Sequence, residues 1–372
     1  MIRSVGDMAE KKKKKEAKLF DDPIAQIKSY LDENKEDHFN FEEVPTYVVS
    51  SGSLLLDIEM GGGIRPSVIR ASGLAEGGKT SCALSFGKNF QTTVDNGMVI
   101  YIKSEGRLSP EMIERSGMDT SPEKWFVYKS NIFESVLQLM KDLVTNNSTG
   151  CKYFFIVDSM DAMVPKNDID KPFEESDKVA GGSVLSSNFL KKMALALSSR
   201  GHICFMISQV RSKVSVNKFD TGDPKLTNAS GGNALLHYSD WILEFQPRYQ
   251  KDMIPPKSDS PEGHNCKVIF RKSANEKTGK KVEYPIKYGR TNGRSIWTEY
   301  EVIGMLLQWE MAKTSGAWIT VGEPLIKELK KAGLEMTTKH HGEENLRKYL
   351  EDNVKICDFL FNKFRKALQI TK

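Results

Sequence analysis

The sequence predicts an α/β fold with a mostly parallel central sheet. Three observations carry that prediction. The runs Met98–Ile102, Tyr153–Val157 and Ile203–Ile207 are almost wholly apolar over five residues each, as strands buried on both faces must be. Helix-length segments such as Thr80–Thr93 and Ser183–Ser199 separate strand-like runs, the alternation of a parallel sheet with crossover helices. A glycine-rich turn joins the strand-like run Val68–Ala71 to the first of those helices. The balance of 28% charged and 39% hydrophobic residues is that of a folded globular chain, which excludes collagen-like, coiled-coil and wholly disordered classes.

Along the chain, residues 1–18 read as a disordered basic tail, 19–45 as a helix and linker, 46–293 as the α/β core and 294–372 as a small helical C-terminal domain. Asp22 and Pro23 mark a helix start, with Asp22 as N-cap and Pro23 at the first helical position. Ile24, Ile27 and Leu31 follow at helical spacing, so a short amphipathic helix is expected near 23–34. Within the core, strands are expected at Val68–Ala71, the three apolar runs, Trp241–Phe245, Lys267–Phe270 and Lys281–Tyr288. Beyond Arg294 the strand texture fades, and Ile356, Phe359, Leu360, Phe364, Ala367 and Leu368 return to helical spacing.

The net charge of +5 is mostly a property of the tail, where Arg3, Lys11–Lys15 and Lys18 outweigh three acids to give +4. That lysine run is either a solvated segment or a weak nucleic-acid contact. The five cysteines are scattered without a CxxC pair, which disfavours a zinc ribbon, a thioredoxin-like site and a disulfide scaffold. No apolar run approaches the roughly 18 residues of a membrane span, and no apolar stretch follows the basic start. A cytoplasmic protein without a membrane partner is expected.

The sharpest local signal is Gly73-Leu-Ala-Glu-Gly-Gly-Lys-Thr80, a GxxxxGKT motif between a strand and a helix. Backbone N–H groups from about Glu76 through Gly77, Gly78 and Lys79 to Thr80 suit a phosphate chain, and Ser81 follows in the same turn. Glycines permit the close approach, and the helix beginning near Lys79 turns its positive dipole end to the anion. Lys79 is expected to bridge the outer phosphates and Thr80 to ligate Mg2+. A second metal-side acid belongs at the end of a neighbouring strand, and Asp158, closing Tyr153-Phe-Phe-Ile-Val-Asp, supplies it. Glu105, at the end of Met98-Val-Ile-Tyr-Ile-Lys-Ser-Glu, is the candidate to orient and polarise a water.

These pieces occur in order with Ser51-Gly-Ser-Leu-Leu-Leu-Asp-Ile, Phe155-Ile-Val-Asp-Ser-Met-Asp-Ala-Met-Val-Pro-Lys166, Ile207-Ser-Gln-Val-Arg-Ser-Lys213, Gly231-Gly-Asn-Ala-Leu235 and Ser315-Gly-Ala-Trp318. Together they resemble the RecA family of homologous-recombination ATPases, over about residues 23–370. The divergence between motifs and the lack of a long acidic C-terminal tail suggest a phage-type or otherwise remote relative. The resemblance implies a RecA-type phosphate-loop ATPase core with an N-terminal oligomerisation helix. It implies ATP and Mg2+ as cofactors, single- and double-stranded DNA as partners, and a homo-oligomeric helical filament. Glu105 would then activate water, and Gln209 would sense the γ-phosphate and link it to a DNA-binding loop at about 210–230. Arg211, Lys213, Asn217, Lys218 and Phe219 become DNA-contact candidates, with Gly231 and Gly232 opening the helix beneath that loop. A first DNA loop would lie near 166–180. Arg271 and Lys272 resemble basic residues that reach across the subunit interface to the phosphates. Two positions depart from the family pattern: Lys103 stands where an acid is common, and Met112 where bacterial relatives stack an aromatic near the adenine.

The residues themselves agree with a DNA loop. A stretch of about 20 residues with little periodicity is unusual inside a domain and generally functional. Its lysines, arginine and single aromatic suit sequence-independent binding of single strands. A ring helicase on the same core, or a slow-turnover DNA-coating scaffold, are the alternatives.

Overall fold

The structure, a computed structural model, describes residues 22–106, 108–169, 171, 180–209 and 232–370. It divides into two compact units, Met1–Glu42 and Glu43–Lys372. In the first, α1 spans Pro23–Glu33, and the Asp22 carboxylate accepts from the Ala25 N–H at 2.6 Å, so the cap read from the sequence forms. The helix exposes Ile24, Ile27 and Tyr30. Residues 1–18, assigned as a tail, lie outside the described residues.

The second unit opens with α2 (Leu54–Glu59), β1 (Val68–Gly73), α3 (Lys79–Thr93), β2 (Gly97–Lys103), α4 (Pro110–Ser116), β3 (Trp125–Lys129) and α5 (Phe133–Thr145). Next come β4 (Lys152–Asp158), α6 (Lys166–Ile169), α7 (Ala180–Ser199), β5 (Ile203–Gln209), α8 (Gly232–Tyr238) and β6 (Trp241–Phe245). An antiparallel extension follows: β7 (Met253–Ile254), β8 (Gly263–Lys272) and β9 (Lys281–Lys287). The C-terminal part holds α9 (Thr298–Gln308), β10 (Ala312–Ser315), β11 (Trp318–Val321), α10 (Glu323–Lys331), β12 (Lys339–His341), α11 (Gly342–Asp352) and α12 (Val354–Ile370).

The main sheet runs β3-β2-β4-β5-β1-β6-β8-β7, with β9 also on β8. From β3 to β6 every pairing is parallel, and β6 to β8 is antiparallel. The expected parallel sheet is therefore present. The sequence reading did not foresee β3, β7 or the three-stranded sheet β10-β11-β12 in a region expected to be helical.

Register places the site. Gly73 sits opposite Gln209, Val157 opposite Met206, and Lys103 opposite Asp158. The carboxyl ends of β1, β2, β4 and β5 thus share one edge, where open α/β sheets bind ligands. Beneath it, Phe86 and Phe90 of α3 pack on Phe205 and Phe154 with ring centroids 6.0 and 5.5 Å apart. All four rings are fully buried, so α3 is anchored along the sheet that carries the loop before it. A second apolar cluster joins Leu54 of α2 to Val302, Leu306, Leu329, Leu350, Leu360 and Phe364.

Candidate functional site

β1 is buried at every position and ends at Gly73, whose φ of 140° begins the loop. A Cβ there would lie 2.3 Å from the Phe245 carbonyl oxygen, so only glycine fits beside β6. Glu76 at φ 62° and Gly78 at φ 102° complete the reversal into α3. The buried Lys79 ammonium donates to the carbonyls of Gly73 (2.9 Å) and Leu74 (2.6 Å). The lysine thus ties the two ends of the loop together.

Thr80 follows, and its hydroxyl donates to Asp158 Oδ2 at 2.9 Å. The motif hydroxyl and the acid from β4, read separately from the sequence, meet across the sheet edge. Tyr101 on β2 donates to the same carboxylate oxygen at 2.5 Å. Burial pushes the Asp158 carboxyl above its ordinary value, opposed by these two hydroxyls. Burial and the neighbouring Asp158 push the Tyr101 hydroxyl up as well, which keeps it a donor.

Glu105 lies just past β2, with its N–H on the Asp158 carbonyl at 3.3 Å. Its Oε1 accepts from the Ser159 hydroxyl and, at 3.3 Å, from the Gln209 side-chain amide. The Gln209 N–H donates to Asp161 at 2.6 Å. Arg70, fully buried on β1, donates to Ser208 at 3.0 Å. Glu105, Asp158 and Gln209 are therefore brought together with the loop. Tyr101, Ser159 and Asp161, which hold them, were not singled out in the sequence.

The other predicted positions fall elsewhere. Arg271 forms a two-pronged ion pair with Glu244 at 2.7 and 3.0 Å. Lys272 donates to the carbonyls of Leu236 and His237 at the end of α8. Lys272 pairs with Ile242, which pairs with Arg70, so it lies toward the strand starts, away from Gly73. Gly232 opens α8. Arg211, Lys213, Asn217, Lys218, Phe219 and Gly231 lie outside the described residues, as does most of the expected first DNA loop.

Beside the loop a cavity of about 500 Å3 opens, its wall shared by Glu76, Gly78 and Ser81 of the loop and by the apolar Met112, Ile286 and Ile296. Met112 thus stands on its wall. The backbone N–H groups of Asn292 and Gly293 donate to the carbonyls of Glu114 and Arg115, which ties two stretches of the wall together. The chain fits a nucleotide and its metal on its own features: a glycine cradle, a buried carboxylate hydrogen-bonded to a threonine hydroxyl, and a half-apolar cavity alongside. All five cysteines are free and buried, and no helix among the described residues is long and apolar enough to cross a membrane.

Comparison with known proteins gives the family. The profile of the RecA N-terminal domain matches residues 18–292. Protein RecA of Mycobacteroides abscessus is 29% identical over 329 residues, covering 88% of this chain and 85% of that one. Protein RecA of Rhodococcus opacus is 29% identical over 329 residues, covering 88% of this chain and 84% of that one. A solved RadB recombinase aligns at a TM-score of 0.45 with 16% identity, over 67% of this chain and 98% of that one. The family profile spans the sheet, the phosphate loop and the acids around it, and the chain belongs to the RecA family of homologous-recombination ATPases.

Proposed function

We propose that the chain is a DNA-dependent ATPase that polymerises on single-stranded DNA as a helical filament and promotes homologous pairing and strand exchange with double-stranded DNA. One observation carries this reading. The Gln209 amide donates to Glu105, the candidate base, while Gln209 itself ends β5 and is followed in sequence by the basic segment at about 210–230. A change in that segment therefore acts on the position of the hydrolytic carboxylate through one hydrogen bond.

The roles follow from the contacts. Gly73 to Ser81 cradle the phosphates, and Lys79 releases two carbonyls to neutralise them. Thr80 and Asp158 would hold Mg2+, which would supply charge neutralisation for the phosphates. Tyr101 fixes Asp158, and Ser159 and Gln209 fix Glu105, which orients the attacking water and accepts its proton. The cavity lined by Met112 takes the base and ribose. Arg271 and Lys272 remain candidates for a neighbouring subunit's phosphates, and reaching them requires release from Glu244 and α8. The exposed apolar residues of α1 suit packing on a neighbouring subunit, a head-to-tail contact that propagates as a helix. Arg211, Lys213, Asn217, Lys218 and Phe219 would contact DNA, sequence-independently.

The test is ATP hydrolysis with and without single-stranded DNA, alongside negative-stain imaging. Stimulation by DNA together with filaments is expected. Hydrolysis indifferent to DNA, with no filaments, would contradict the reading.

A further inference from the structure

The cavity wall carries a cation that the phosphate-loop motif does not account for. Arg248 lies three residues past β6, on the wall that it shares with Glu76, Gly78 and Ser81. Its Nη1 donates to the Tyr288 hydroxyl at 3.3 Å, and its Nη2 lies 4.0 Å from Glu76 Oε2. Glu76 is the oddity that gives this meaning. It is an acid within the anion cradle, at φ 62°, with its side chain 84% exposed. A carboxylate there opposes an incoming polyphosphate unless a cation offsets it. An exposed pair at this separation contributes little stability and exchanges readily. Lys287, also on the wall, is committed elsewhere: it pairs with Glu351 at 2.8 Å and lies over the Trp297 ring. Burial, with the Arg248 charge nearby, pulls the His264 ring down to about 4, so this wall residue is neutral at pH 7.

We propose that Arg248 is a nucleotide-binding residue supplied by the same chain, parked on Glu76 and Tyr288 until it exchanges Glu76 for the phosphate chain of the ligand. The proposal rests on the reading of this cavity as a nucleotide site. A guanidinium paired with a residue of the glycine loop is placed to act on phosphates, which it recognises by charge-assisted hydrogen bonds. It favours charged nucleotides over the bare nucleoside.

The experiment displaces a fluorescent ATP analogue from the full chain with ATP or with adenosine, in the presence of Mg2+. Wild type is compared with R248A, R248K and E76Q, with thermal unfolding recorded for each. R248A should weaken ATP about tenfold or more and leave adenosine within about twofold, as loss of a hydrogen bond to a charged group implies. R248K should recover part of the loss, and E76Q should tighten ATP alone by about two- to fivefold. ATP affinity unchanged in R248A overturns the proposal, and so does equal weakening of ATP and adenosine, which makes Arg248 a pillar of the wall. Should R248A not fold, E76Q decides: tighter ATP supports the exchange and unchanged ATP refutes it. Wild type failing to bind ATP at all would instead remove the nucleotide reading, and Arg248's role with it.

Discussion

At the scale of single residues, the site is a set of hydroxyls and amides holding two acids. Asp158 receives Thr80 and Tyr101 on one oxygen, and Glu105 receives Ser159 and Gln209 on one oxygen. Those contacts set what each substitution does. Lys79→Ala removes the loop's buried ammonium, so ATP binding should weaken about 10- to 150-fold, the range for losing a hydrogen bond to a charged group. ATP affinity by calorimetry checks it, and unchanged affinity would detach Lys79 from the phosphates. Glu105→Gln keeps the shape and the acceptor for Ser159 but cannot take a proton. Hydrolysis should fall about 100- to 10,000-fold, as for removal of a general base, while ATP and DNA still bind. A loss of only a few-fold in the single-turnover rate would assign the base to another carboxylate.

At the scale of elements, buried Glu301 joins α9 to the start of α2, and buried Asp57 joins α2 to the loop before it. The Ser53 hydroxyl and the Leu54 N–H both donate to Glu301, at 2.5 and 2.7 Å, and Asp57 receives Ser50 and Ser51. Burial pushes Glu301 up to about 8 and Asp57 to about 6. The folded state then holds the Glu301 proton more tightly than the unfolded chain. Its stabilisation is complete below the ordinary carboxylate value and is lost as pH rises through about 8, at up to about 1.4 kcal/mol per pH unit. Between pH 6.5 and 9, above the Asp57 transition, Glu301→Gln should flatten the fall of the thermal midpoint. Parallel curves for the two proteins would show that Glu301 is charged in the fold. Such long-range pairs explain what the sequence leaves hidden. The phosphate loop was legible because its glycine spacing is local, and β1, β2, β4, β5 and β6 because apolar runs mark buried parallel strands. Tyr101 and Ser159 were not, because their partners lie 57 and 54 residues away. The strands β10 and β12 are four and three residues long and carry Lys313 and Lys339, too short and too polar for alternation to register. The edge strand β3 exposes Phe126 and has a mixed pattern of burial.

At the scale of the whole molecule, one sheet edge joins the nucleotide site to the start of the segment assigned to DNA. Gly73 and Gln209 are neighbours in register, so β1 and β5 end side by side, the one before the phosphate loop and the other before the segment assigned to DNA. Two ligands that bias one such element are thermodynamically linked, and each must tighten the other by the same factor. The most direct measurement is DNA affinity with a non-hydrolysable ATP analogue against ADP, in wild type and in Gln209→Ala. The account predicts that the analogue tightens DNA binding about 5- to 150-fold in wild type. In Gln209→Ala, nucleotide binding should survive while that ratio collapses toward one. Equal DNA affinity with both nucleotides in wild type, or a wild-type ratio retained in the variant, would contradict it.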